Sequence, residues 1–467
     1  MTRVCVIGGG PAGAVFAARM AALGHAVTLV EQATFPRRRL GEALTPGLRP
    51  LLDTIGAGDA IDRAGGLPIA RVHHLWDGAA LWRDDPSGLG WTVDRGRLDA
   101  LLIDAARKAG AEVLQPARVL EQVETEAGWS LVLATPEGIV RREADFVAHA
   151  TGRGGRAAAE APRTVAVHAY WRVPGPMPPS CIEAGAAAWF WGVPLPGGLY
   201  NTLVVCRPDT LRAAGGRTLE ERLSVMLAAS RLLPDLSGAR RDGPVGAADA
   251  TPRRATDPVG PRFIRIGDAA LSLDPISSSG VQKAVQGALA AAVTANTLLR
   301  RPERCTAAVE FYTGSLRRTA VRHRHWTLAH YASAAATRPH AFWQERAAGA
   351  APAEDAPRLS IDDQMIRMQP VRLAPETEIR LSPCLDDEYV ALRPAVTHPR
   401  LDGPLAYLGG HEIAPLLARW PVGATPLELA RTWGDRLPLK TALAIIVRLM
   451  ESGVIVPASP EPARTQT

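Results

Sequence analysis

The spacing of apolar residues divides the chain into recognisable elements. Val4, Val6 and Ile7 form a short apolar run, the pattern of a buried parallel strand. Gly8, Gly10 and Gly13 follow it with G-x-G-x-x-G spacing, and Pro11 suits a first helical turn. A helix is predicted from Ala12 to Leu23, stopped at Gly24-His25. A second strand, Ala26 to Val30, ends on Glu31, the distance at which an acid meets a ribose hydroxyl pair. Together these features predict a dinucleotide-binding βαβ unit. Leu48 to Ile61 reads as helix, and Pro68 to Thr92 as short strands carrying Trp76, Trp82 and Trp91. Val93 to Val113 is a strong helix, with Leu98, Leu101 and Leu102 on one side and Asp99 within it. Val119 to Arg153 predicts a β-meander and then a buried strand ending at Gly152.

Alternation returns at Thr164 to Arg172 and runs through Cys181 to Cys206, with a turn at Pro196-Gly197-Gly198. Leu219 to Leu233 reads as helix. Ile264 and Ile266 form a strand closed by Gly267-Asp268, and Val281 to Leu299 is helical, as is Val309 to Ala348. Ala347 to Pro357 is Ala/Pro-rich and reads as a linker. Beyond it, Tyr389 to Val396 and Pro404 to Leu408 predict two strands. Three amphipathic helices follow at His411 to Trp420, Thr425 to Trp433 and Leu439 to Gly453, and then a last strand, Val454 to Val456.

Composition narrows the setting. No window holds the roughly 18 apolar residues of a membrane span, and the chain opens on a strand where a signal peptide would be basic and then apolar. The five cysteines (Cys5, Cys181, Cys206, Cys305, Cys384) are dispersed, which predicts reduced thiols in a cytoplasm and no metal site. The net charge is +6, carried almost entirely by arginine; Lys108, Lys283 and Lys440 are the only lysines. That surface suits steering of an acidic polypeptide partner. No basic run is interleaved with stacking aromatics, so nucleic acid is not expected.

Three separated motifs converge: GGGPAG with Glu31, the helix opening DRGRLD (Asp94 to Asp99), and IGDAALSLDPISSSG (Ile266 to Gly280). In this order they resemble the superfamily of group A flavoprotein monooxygenases and flavin-dependent halogenases, over about residues 1–345. The resemblance implies FAD as cofactor. It places Gly8, Gly10, Ala12 and Gly13 at the pyrophosphate, Glu31 at the adenosine ribose, and Gly267 and Asp268 at the ribityl chain. Arg39, Gly41 and Arg97 would lie beside the pyrophosphate or the flavin, and Pro275, Ser279 and Gly280 against the isoalloxazine ring. The fold it implies is α/β: a Rossmann-like FAD domain (1–70, 93–163, 258–300) with an inserted antiparallel substrate sheet (71–92, 164–257) and a helical extension (301–348). A linker (349–372), a winged-helix-like small domain (373–457) and a disordered tail (458–467) complete it. The small domain resembles the winged-helix peptide-recognition fold.

Trp189-Phe190-Trp191-Gly192-Val193-Pro194 is similar to the W-x-W-x-I-P motif of the halogenases and puts Trp189, Trp191 and Pro194 at the substrate pocket. Halogenases also need a lysine, near this chain's Pro68 to His74, that receives hypohalous acid; no lysine stands between Met1 and Arg107. The resemblance therefore points to direct oxygen transfer from a flavin C4a-hydroperoxide to an aromatic ring. It is nearest the flavoprotein monooxygenases of tryptophylquinone biogenesis, which act on a tryptophan within a polypeptide. His149-Ala150-Thr151-Gly152-Arg153 replaces the Asp-Gly pair linked to nicotinamide use, so electrons are expected from a separate flavin reductase or from reduced flavin. His73, His74, His168 and Glu42 are the candidate proton acceptors. A small-molecule hydroxylase or halogenase, and a peptide carrier without activity, remain alternatives.

Overall fold

The structure is a computed structural model; it describes residues 1–85, 88–154, 157–350, 361, 363–421 and 423–458. Val4 and Val6 are fully buried because Arg3–Ile7 is the middle of a sheet. The strand order is Val259–Gly260, Phe263–Arg265, Phe146–His149, Arg3–Ile7, Ala26–Val30, Glu112–Leu114. All pairings are parallel except that of the outermost Val259–Gly260. Val6 lies in register between Ala148 and Leu29. The first helix, Pro11–Ala22, is apolar nearly all round and packs against Arg95–Lys108, so it is covered on more than one side. In a sheet of this kind, ligands bind beyond the carboxyl ends of the strands.

Arg95–Lys108 starts where Asp94 accepts the Arg97 backbone N–H at 3.1 Å, and ends before Gly110, whose φ is +101°. The predicted meander is present as Arg118–Thr125, Gly128–Thr135 and Gly138–Ala144. The predicted helix Leu48–Ile61 is instead two pieces, Leu48–Asp53 and Ala60–Arg63. Gly56 between them takes φ +67° and breaks the ladder. Leu219 to Leu233 is helical only to Leu227; Thr218 and Glu221 form a capping box at its start.

The inserted sheet runs Arg240–Arg241, Val165–Arg172, Leu199–Cys206, Ala188–Leu195, Ser180–Ala184, Arg71–Leu75, Ala80–Asp84, and Gly246–Asp249 also pairs with Val165–Arg172. It is mixed where an antiparallel sheet was expected, because Ser180–Ala184 pairs parallel with Arg71–Leu75. Trp91–Thr92, expected in this sheet, pairs instead with Ala43–Leu44 and Leu67–Pro68.

The chain forms two compact units, Met1–Leu299 with Thr319–Pro352, and Arg300–Arg318 with the chain from Ala353 onward. The helix Cys305–Ala335 thus contributes to both, and the expected helical extension 301–348 is divided between them. In the second unit a hairpin joins Glu378–Asp386 to Tyr389–Thr397; its first strand was not expected. The expected strand Pro404 to Leu408 is confined to Tyr407–Leu408, and the helix expected from His411 to Ala414–Leu417. Pro426–Thr432 and Leu439–Glu451 follow. The last helix buries Ala442, Ile445, Ile446, Leu449 and Met450, a stripe of helical period, against Trp433 and Ile413. Ile455–Pro457 closes on Val371–Leu373. The centre of the expected linker, 351–360, and the expected disordered tail beyond Ala458 lie outside the described residues.

Candidate active site

A cleft of about 870 Å³ opens at the carboxyl ends of the parallel strands and reaches the inserted sheet. Its first wall is the glycine loop. At Gly8, with φ +111°, a Cβ would lie 2.4 Å from the Ala150 carbonyl oxygen; at Gly13 it would lie 1.9 Å from the Gly8 carbonyl oxygen. Both positions exclude any side chain. Gly10 differs: no protein atom lies within 4 Å of its Cβ position, and it lines the cleft, so the space beside it belongs to a ligand. Ala12 also lines this end. Glu31 is buried, with Oε2 accepting the Gly9 N–H at 2.7 Å and Oε1 the Ala33 N–H at 2.8 Å. Arg37 binds the same carboxylate at 3.1 Å.

Three arginines converge on this end. Arg37 is paired with Glu31, and Arg95 with Asp99 at 3.1 Å. Arg39 has no hydrogen-bond or carboxylate partner among the described residues, and it lines the cleft beside Gly41 and Gly152. Burial, then the like charges of Arg37 and Arg95, lower its pKa. Arg39 is exposed on the cleft wall, where its guanidinium is free to pair with an anionic ligand. Opposite, Asp268 follows Gly267 and pairs with Lys283 at 2.9 Å and Arg153 at 3.4 Å. Burial raises its pKa, but the cations Lys283, Arg153 and Arg39 outweigh that and hold it below the usual range. The helix Gly280–Arg300 begins at the cleft, where Pro275, Ser278 and Gly280 form the wall. Its free N–H groups and dipole favour negative charge. A glycine cradle, an unpaired arginine on the cleft wall, a buried carboxylate beyond the second strand and a helix N-terminus therefore fit a dinucleotide such as FAD.

The far end is walled by the inserted sheet. Leu203, Trp191 and Ile182 are in register across three strands, and with Trp189 they make an apolar aromatic surface on the cleft. Glu42, buried at 6 % exposure, enters from the loop after Arg39. Its Oε1 accepts the Tyr170 hydroxyl and, at 3.3 Å, the Asn201 amide; Oε2 accepts the Gly41 N–H at 2.9 Å. Burial raises the Glu42 pKa against these hydrogen bonds and Arg95. Tyr170 and Asn201 are cross-strand partners, and His168 lies two residues from Tyr170 on the same face, lining the cleft. Burial lowers the His168 pKa. The arrangement offers an aromatic slot with a carboxyl proton acceptor tied to a phenol.

Several expected residues lie elsewhere. Arg97 is exposed; two residues earlier, Arg95 is the residue that faces the cleft, donating to the carbonyls of Leu40 and Gly41 at 3.0 and 3.1 Å. Pro194 is absent from the cleft wall because it alternates to the face opposite Trp189 and Trp191; its carbonyl accepts the Thr92 hydroxyl at 2.7 Å. Ser279 holds Ser277 at 2.7 Å while Ser278, at φ +49°, takes the wall. His73 stacks on Trp82 at 4.5 Å near the sheet edge, away from the cleft wall. His74 is in register with Ile182 but stops short of the wall, and burial, aided by Arg83, lowers its pKa to about 4. Tyr170, Asn201 and Arg95 were not foreseen.

Known proteins resemble this chain over much of its length. The tryptophan halogenase family profile matches residues 3–65 and 85–369. The tryptophan 2-halogenase of Chondromyces crocatus is 30 % identical over 341 residues, covering 67 % of this chain and 64 % of that protein. The flavin-dependent halogenase rdc2 of Metacordyceps chlamydosporia is 29 % identical over 64 % of this chain and 65 % of its own. The chain thus spans just under two thirds of the length of these relatives. Among solved structures, the peptidyl tryptophan dihydroxylase QhpG, described as essential for tryptophylquinone cofactor biogenesis, superposes with TM-score 0.73 at 28 % identity, covering 97 % of this chain and 99 % of that one. The flavin-dependent halogenase CmlS superposes with TM-score 0.78 at 22 % identity, over 98 % and 96 % of the two chains, and so shares the fold. Because the profile matches residues 3–65 and 85–369, most of its length, the chain belongs to the tryptophan halogenase family.

Proposed function

We propose that the chain is an FAD-dependent monooxygenase that hydroxylates an aromatic ring, a tryptophan side chain of a precursor polypeptide, during quinone cofactor maturation. The observation that carries this reading is the absence of lysine from the sheet end of the cleft. Lys108 is exposed at the end of its helix, Lys283 is bound to Asp268, and Lys440 lies in the second unit. A halogenase relays its oxidised halide through such a lysine; direct oxygen transfer needs none. The resemblance along nearly the whole chain to QhpG supports a peptidyl substrate, as does the chain's positive charge.

Reduced FAD, when bound, supplies the activation of oxygen. The residues of the chain do the rest. Gly8, Gly10, Ala12 and Gly13 would hold the FAD pyrophosphate, with Arg39 and Arg95 beside it, Glu31 the ribose, and Gly267, Asp268 and Gly280 the far end. Trp189, Trp191, Ile182 and Leu203 exclude water and hold the ring. Glu42, backed by Tyr170 and Asn201, accepts the proton that leaves the ring. Electrons come from a separate reductase or from reduced flavin.

Incubating candidate precursor polypeptides with the enzyme, reduced flavin and ¹⁸O₂ tests the reading by mass spectrometry. Labelled oxygen on a tryptophan supports it. Halide-dependent mass gain, or oxidation of free phenols with the polypeptide unchanged, overturns it. Stopped-flow mixing with NADH or NADPH alone should leave the bound flavin oxidised; fast bleaching would refute the separate electron source.

A further inference from the structure

A second, smaller cavity of about 90 Å³ lies behind the flavin end of the cleft, and Leu273 and Asp274 line both. Asp274 is 4 % exposed. Its two carboxylate oxygens accept the Tyr331 hydroxyl at 3.2 and 3.1 Å, and one also accepts the Ile276 N–H at 3.1 Å. Tyr331 in turn accepts the Trp189 indole N–H at 3.3 Å, which ties this carboxyl to the tryptophan wall.

On the second cavity's side, His323, Thr327 and Tyr331 recur every fourth residue of the helix Cys305–Ala335 and so form one stripe. Thr327 is about nine-tenths buried, and its Oγ1 has no hydrogen-bond partner among the described residues; neither has His323 Nε2. Two sealed polar atoms with nothing to bind, beside Asp274, Tyr331 and Arg346 in a cavity with room for about three waters, call for water. Neighbours four apart on a helix stand roughly 5–6 Å apart, the span one bridging water closes.

We propose that this cavity is a water site that carries protons between solvent and Asp274, along the stripe His323, Thr327, Tyr331. The proposal rests on the monooxygenase reading above. Hydroxylation turns R–H, O₂, FADH⁻ and one proton into R–OH, FAD and H₂O. The O–O bond breaks, a C–O bond forms, the flavin loses two electrons, and the proton taken from solvent ends in the water. A cleft that excludes water needs a path for that proton, and Asp274 is the carboxyl at the Pro275–Gly280 wall. Burial raises its pKa against the hydrogen bonds from Ile276 and Tyr331 and the charges of Arg346 and Arg153. Burial, and then Lys283, lower that of His323 to about 4 against a hydrogen bond to the Asp274 backbone, so the ring is neutral and can both accept and donate. Glu160, Arg324 and Glu345 are the charged groups at the cavity's outer wall.

A high-resolution crystal structure of the wild type should show two or three ordered waters on Thr327 Oγ1 and His323 Nε2; a dry cavity overturns the proposal. Thr327→Val keeps the volume and removes the hydroxyl, and Thr327→Ser keeps the hydroxyl. With a pH-indicator dye, proton uptake on mixing reduced holoenzyme and substrate with oxygen should keep pace with flavin reoxidation in the wild type and Thr327→Ser. In Thr327→Val it should slow roughly tenfold and recover with added formate. Unchanged uptake in a folded Thr327→Val overturns the route alone. A wild type that binds FAD but never hydroxylates overturns the reading beneath it, while the ordered waters still decide the site.

Discussion

Gly10 and Gly13 differ in what surrounds them, and substitution should separate binding from folding. Gly13→Ala puts a methyl 1.9 Å from a backbone carbonyl, so the strand–helix junction must move. Thermal unfolding should register a loss of about 1–3 kcal/mol, with FAD affinity falling too. Gly10→Ala places its methyl in open cleft. It should leave the apo-protein's Tm within error and weaken FAD binding at least tenfold by fluorescence titration. Glu42 makes a pH prediction. Its folded pKa is raised by burial above the ordinary 4.5, so the folded state binds more protons than the unfolded state above that pH. Wild-type stability therefore falls as pH rises through 4.5 toward the folded value. Glu42→Gln lacks this loss; its Tm should gain on the wild type across that window, although Asp274, raised in the same direction, keeps part of the trend in both. A Tm difference flat with pH would mean Glu42 is ionised with ease. In catalysis the same variant should lose roughly 10²–10⁴-fold in kcat if Glu42 takes the ring proton.

Elements show how far the sequence could be read. Three signals were legible because each is local: the apolar run Val4–Ile7, the glycine spacing after it, and the helical stripe of Leu439–Glu451. The break at Gly56 was not, because the flanking Leu48–Asp53 and Ala60–Arg63 both carry helical patterns, and one glycine's φ decides between continuity and a turn. The parallel pairing of Arg71–Leu75 with Ser180–Ala184 joins strands over a hundred residues apart, which no periodicity encodes. Glu378–Asp386 was missed because Ile379, Leu381 and Leu385 sit among charged residues and stay exposed. Arginine choice on the helix Arg95–Lys108 was a matter of face: DRGRLD offers two arginines, and only the one four residues before buried Asp99 turns inward. That difference is testable. Arg95 is buried, paired with Asp99, and holds the Leu40–Gly41 turn that delivers Glu42. Arg95→Ala leaves a buried carboxylate alone and should cost about 3–5 kcal/mol by chemical denaturation. Arg97→Ala should change stability by less than roughly 0.5 kcal/mol and leave FAD affinity unaltered.

At the scale of the molecule, every residue lining the main cleft lies between Ile7 and Ala284, inside the first unit, while the second unit carries its own core of Trp433, Ile446 and Leu449. On the proposal that the second unit holds the precursor polypeptide, cofactor binding and polypeptide recognition are separable. A chain lacking Leu373–Thr467 removes that core without removing any cleft residue. It should retain bound FAD, with an unchanged flavin spectrum, and lose affinity for the precursor polypeptide in a titration that the full chain passes. It should also keep whatever activity the cleft has toward a short tryptophan peptide at high concentration, because the aromatic slot of Trp189, Trp191 and Glu42 stays whole. Binding energy from a distant part of a substrate lowers the concentration needed for reaction, and the loss should appear in KM before kcat. If truncation leaves precursor affinity intact, recognition resides on the first unit, whose free sheet edge at Ala80–Asp84 then becomes the surface to mutate.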